Sequence, residues 1–177
     1  MTCPVGGLLS KGPYYGKMVL VRESQSPQGT ISKERIMSYQ DVLVHNFQYD
    51  DGGRAEAGFE GTAGDCAVRA IAIATELPYA EVHKQLSQAY GASADLGVSR
   101  ECIHEFLVGY GWKWVPTMGI GTGCKVHLKA EELPAGRIVA RVSKHVSAVI
   151  DGVVCDTHDP SRGGSRCVYG YWTKKEG

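Results

Sequence analysis

Apolar positions follow two rhythms along this chain. Between Cys66 and Val108 they recur at helical spacing, and from Ile138 to Trp172 they fall in short runs rich in Val, Ile and aromatic residues. Cys66–Leu77 (CAVRAIAIATEL) is alanine-rich, stops at Pro78 and is apolar on nearly every side except at Arg69. That pattern predicts a buried central helix. Tyr79–Tyr90 predicts a second, amphipathic helix through Val82, Leu86 and Tyr90. Ser99 is placed to cap a third helix running to about Val108, with Gly109 and Gly111 as stop signals. After Trp112 the period changes. Ile138–Val142, His145–Ile150, Val153–Thr157 and Cys167–Trp172 predict strands, and Asp151-Gly152 predicts a tight hairpin turn. Helices first and an antiparallel sheet second make an α+β pattern.

Residues 1–60 are dominated by glycine, polar groups and turn signals. Lys17–Arg22 and Asp41–Phe47 read as short strands, and Asp51-Gly52-Gly53 as a turn. No repeat or Pro/Ser linker divides the chain, so 177 residues are expected to form a single domain, with 1–45 as an N-terminal extension.

Charge narrows the partners. The 19 basic and 19 acidic residues cancel, which removes the electrostatic case for nucleic acid or an anionic membrane as the main partner. No apolar run approaches the roughly 18 residues of a membrane span, and Met1–Gly12 lacks the features of a secretory signal. The expected location is cytoplasmic. On that basis the six cysteines (Cys3, Cys66, Cys102, Cys124, Cys155 and Cys167) are expected to be reduced thiols. No cofactor motif stands out, and oligomeric state has no signature.

Chemistry concentrates at Gly64-Asp65-Cys66. Asp65 is positioned as an N-cap, and Thr62-x-x-Asp65 also fits a capping box. Either way Cys66 falls in the first turn of the buried helix. Unpaired backbone N–H groups and the helix dipole there favour thiolate over thiol, and they could stabilise an oxyanion. The hairpin supplies partners. With a two-residue turn at Asp151-Gly152, Ile150 faces Val153, Ser147 faces Asp156 and His145 faces His158. Alternation then puts His145 and Asp156 on one sheet face as diagonal neighbours, within reach of a His–carboxylate hydrogen bond. Asp159 is the alternative orienting group if the ladder frays.

A cysteine opening a buried helix, then a histidine and an Asp on successive later strands, resembles the papain-like cysteine peptidases. Three segments are also similar to a little-characterised group of bacterial and phage-associated proteins with that expected fold. They are NFQYDDGGRAEAGFEGTAGDCAVRAIAIAT, YGWKWVPTMGIGTGCKVHL and GRIVARVSKHVSAVIDGVVCDTHDPSRGGSRCVYGYW, covering most of residues 46–172. The resemblance implies Cys66 as nucleophile, His145 as base and Asp156 as orienting group, and says little about the substrate; a protein or peptide substrate is expected. It also exposes a departure. Papain-like peptidases usually carry a glutamine oxyanion donor several residues before the cysteine, where this chain has Glu60, an acceptor when ionised. Asn46 and Gln48 are conceivable replacements.

Two other readings compete with hydrolysis. One is a binding or inhibitory module that keeps the fold without turnover; the other is a zinc-stabilised domain built on Cys124-x-x-His127 or Cys155-x-x-His158. The second pair would diverge on a strand. An acyltransferase or deamidase would use the same Cys–His–Asp parts as a hydrolase. Gly119-x-Gly121-x-Gly123 lacks the βαβ setting of a phosphate loop and reads as a flexible loop beside the cleft. Trp112 and Trp114 read as core or groove wall, and His83 and His104 as surface groups. Arg69 needs a partner within an apolar helix, with Glu60 or another cleft carboxylate expected.

Overall fold

A computed structural model describes residues 46–90, 94–119 and 121–174, which lie within one compact unit. The expected strand at 17–22 and most of that at 41–47 lie outside the described residues. The fold is α+β. In chain order it runs β1 (Phe47–Tyr49), α1 (Cys66–Thr75), α2 (Tyr79–Tyr90), α3 (Arg100–Gly109), β2 (Lys113–Pro116), β3 (Arg137–Val142), β4 (His145–Ile150), β5 (Val153–Asp156) and β6 (Val168–Thr173).

The strands form one six-stranded sheet in the order β1-β5-β4-β3-β6-β2. Every pairing is antiparallel except that of β1 with β5, so the sheet is mixed rather than wholly antiparallel as expected. The hairpin register is the anticipated one: Ile150 lies opposite Val153, Val149 opposite Val154 and Ala148 opposite Cys155. Asp151 and Gly152 both take positive φ, 49° and 85°, as a two-residue turn of this hand demands. A side chain at Gly152 would also meet Ala130 Cβ at 2.7 Å.

Alternation along β4 divides two cores. Val146 and Ala148 join α1, α2 and α3 in the larger cluster, with Ile71, Leu86, Leu107 and Trp172. Val149 belongs to a second cluster on the other sheet face, with Ile138, Val154 and Val168. The helix boundaries follow local chemistry. Ser99 caps α3 by accepting from the Cys102 N–H, and Glu76 ends α1 in the left-handed region. Among the described residues no helix is long and apolar enough to cross a membrane.

The cysteines depart from expectation. Cys124 and Cys167 form a disulfide, Cα atoms 5.7 Å apart, while Cys66, Cys102 and Cys155 are free. The cause is a long-range bridge invisible to local pattern. Residues 126–128 run antiparallel to 166–168 through Leu128 N–H to Arg166 C=O and Val168 N–H to Val126 C=O. The disulfide also bears on the expected cytoplasmic location, since persistent disulfides are rare in reducing compartments.

Candidate active site

Cys66 is the first residue of α1 and half-buried. The first intrahelical bond runs from Arg69 N–H to Asp65 C=O, so the N–H groups of Cys66, Ala67 and Val68 have no acceptor within the helix. His145 opens β4 at the sheet margin. It belongs to the face opposite Val146 and Ala148, yet from the strand end its ring lines the same cleft as the thiol and interacts with it electrostatically. The Val146 backbone N–H also favours the charged form of that sulfur.

His145 Nε2 lies 2.7 Å from Asp156 Oδ2. That carboxylate is 3 % exposed, so it stays charged only through its bonds. Ser147 Oγ donates to Oδ2, and the Thr157 N–H donates to Oδ1 at 2.7 Å. Asp159 instead accepts from Ser161 N–H within an exposed turn, so the carboxylate bonded to His145 is Asp156.

These contacts set the protonation states. Burial by itself would raise the Cys66 thiol, but the His145 hydrogen bond and charge, the Val146 N–H and the more distant Arg69 charge outweigh it and bring it below the ordinary thiol value. Burial would lower His145, yet bonds to Asp156 and Cys66 lift it to about 9. Burial would raise Asp156, and His145 and Ser147 hold it below the usual carboxylate value. All three directions favour a thiolate–imidazolium pair backed by a carboxylate.

Asp65 departs from its expected role. It occupies the N-cap position but makes no side-chain capping bond. Fully buried, it accepts from Arg54 Nε at 2.9 Å, Tyr79 Oη at 2.5 Å and Arg69 Nη1. The Arg69 partner is therefore Asp65, not Glu60. Burial and the Asp65 carboxylate raise the Tyr79 hydroxyl above its ordinary value, so it remains a donor. Arg54 and Tyr79 carried no signal in the sequence. Arg54 comes from the loop after the Asp51-Gly52-Gly53 turn, which forms as expected; Asp50 and Asp51 carboxylates accept from the N–H groups of Gly52 and Gly53.

A cleft of about 520 Å³ opens beside Cys66 and His145. Glu60 is exposed and does not line it, and neither do Asn46, Gln48 or the glycines at 119, 121 and 123. The expected loop beside the cleft thus lies elsewhere. The remaining oxyanion candidates are the free N–H groups of Cys66 and Ala67, both cleft-lining residues.

Other assignments shift as well. Trp112 is core, and Trp114 packs on Trp172 with ring centroids 4.4 Å apart. Neither His83 nor His104 is a surface group: His83 bonds Asp95 and stacks near Phe59, and His104 Nδ1 accepts from Trp172 Nε1 at 3.1 Å. His127 lies close to the Cys124–Cys167 pair and is bonded to Glu132, but the two sulfurs are joined to each other. Cys155 and His158 do not converge; His158 instead lies tilted against His145, ring centroids 5.0 Å apart. No protein-family model, curated protein or solved structure matches the chain.

Proposed function

We propose that this protein is a cysteine-nucleophile hydrolase of papain-like organisation, acting on an amide, peptide or isopeptide bond. The observation that carries the reading is that Cys66 and His145 line one cleft, with His145 bonded to the buried Asp156 carboxylate. In the proposed cycle the thiolate attacks the carbonyl carbon, and helix N–H groups receive the oxyanion. The C–N bond breaks as the His145 imidazolium gives its proton to the leaving amine. Neutral His145 then takes a proton from water, whose oxygen attacks the thioester. Collapse returns the carboxylic acid, the Cys66 thiolate and the imidazolium. An amine in place of water would make the same site an acyltransferase.

A peptidyl acyloxymethyl ketone, which alkylates activated thiolates, tests the reading. One covalent adduct at Cys66, lost in His145→Ala, supports it. Equal labelling of Cys66 and Cys102, or labelling indifferent to His145, defeats it. In that case a binding module retaining the fold becomes the better account.

A further inference from the structure

Four cations line the cleft beside Cys66, and among the described residues no carboxylate joins them there. Arg69 comes from α1, Arg100 from the start of α3, Arg141 from β3 and Lys144 from the β3–β4 turn. Their charge is poorly balanced. Arg69 shares its one carboxylate, Asp65, with Arg54, so two guanidinium groups face one negative charge. Although 9 % exposed, Arg69 keeps an Nε with no hydrogen-bond partner. Arg100 has only the exposed Glu101 at 4.0 Å and otherwise lies over the Trp114 ring. Among the described residues Arg141 and Lys144 have no ion-pair partner; Arg141 lies over the Tyr169 ring. The nearby Asp156 is occupied by His145, Ser147 and the Thr157 N–H, and the thiolate–imidazolium pair is neutral as a unit.

A cleft whose wall charges share one sign concentrates ligands of the opposite sign. A nucleic-acid strand would need a longer basic track than this cleft, on a chain whose net charge is zero. We infer that the cleft selects a peptide substrate carrying a carboxylate beside the scissile bond, held by Arg100, Arg141 and Lys144. This rests on the proposed cysteine chemistry, and the test separates the two.

Iodoacetate and iodoacetamide deliver the same reaction to a thiolate and differ in charge. Their rates at Cys66, mapped by peptide mass spectrometry, give a ratio that needs no turnover. Glutathione supplies the free-thiol reference. The expected acetate-to-amide ratio exceeds that of glutathione by about ten-fold at low salt and falls toward it at about 1 M salt. It also falls in the Arg141→Gln/Lys144→Gln variant. A ratio equal to that of glutathione at low salt overturns the inference, whatever the absolute rates. Slow reaction with iodoacetamide itself counts against the nucleophile instead. Peptides then locate the carboxylate. Faster cleavage with an internal Glu places it on a side chain, and faster cleavage with a free over an amidated C-terminus places it at the chain end. Faster cleavage of a Lys-bearing peptide than of either contradicts the inference.

Discussion

Two buried carboxylates flank the cysteine, and they are used differently. Asp65, its neighbour in sequence, is held by two guanidinium groups and a phenol. Asp156, from β5, is held by an imidazole, a hydroxyl and a backbone N–H. Guanidinium stays protonated at any working pH, so the Asp65 cluster is an electrostatically fixed joint between the 54–60 loop, α1 and α2. Imidazole can exchange its proton, and it alone connects its carboxylate to the sulfur. The lesson is that burial of charge does not mark a catalytic site. What distinguishes Asp156 is a partner that titrates and has a second neighbour to serve.

Substitutions should separate the two regions, and the largest effect is expected at His145. Without its imidazolium the thiol rises, so His145→Ala should cut Cys66 alkylation at pH 6 by about 10²-fold or more and abolish turnover. Asp156→Asn should follow. It leaves a hydrogen-bonding side chain but removes the charge that holds the imidazolium, and a loss of about 10²–10⁴ in acyl turnover is expected.

Asp65→Asn should show the reverse. Leaving Arg54 and Arg69 without a counter-charge should lower stability by about 3–5 kcal/mol in urea unfolding. Once folded, the variant should alkylate within a few-fold of the parent. A large kinetic loss at Asp65 with little loss of stability would erase the distinction. Reduction of the Cys124–Cys167 bond, which closes a loop with a sequence separation of 43, should cost up to about 4 kcal/mol and leave the Cys66 rate unchanged. The smallest effect is expected for Ser147→Ala. Asp156 keeps its bonds to His145 and to the Thr157 N–H and hydroxyl, and a loss of about 1 kcal/mol with a few-fold slower turnover should result.

The pH dependence carries the same contrast. His145, raised to about 9 in the fold, adds stability that is fully present below its unfolded value of about 6.5 and is lost as pH climbs through about 9. Asp156, lowered in the fold, adds stability present above its unfolded value and lost as pH falls through the lowered one. Stability of the His145→Gln variant should therefore lack the parent's decline near pH 9.

Much of this was readable beforehand, and the failures have a common cause. The helices, the hairpin and its register follow from local period and turn chemistry, so Cys66 could be placed at a helix start and His145 with Asp156 on one sheet face on paper; that the thiol and His145 meet around the strand end, with α1 packed on the other face, could not. The Asp151-Gly152 turn was decisive, because a one-residue slip would have sent His145 to the other face. The parallel β1–β5 pair, the disulfide and the Arg54–Asp65–Arg69 cluster each join segments distant in sequence through irregular chain, where no period exists to read. Asp65 misled for a related reason. Its place before a helix predicts a cap, but a fully buried carboxylate is more strongly drawn to two guanidinium groups than to one N–H. His104 misled because its helix position is amphipathic, whereas its partner Trp172 comes from the last strand.

The central claim is that Cys66 and His145 share one proton as an ion pair. The rate of Cys66 alkylation by iodoacetamide across pH 4–10, in the parent and in His145→Ala, tests it most directly. The account predicts a parent profile whose rise falls below the ordinary thiol range, and a variant profile that rises only within that range. Coincident profiles, or a parent that follows an ordinary thiol, would contradict it.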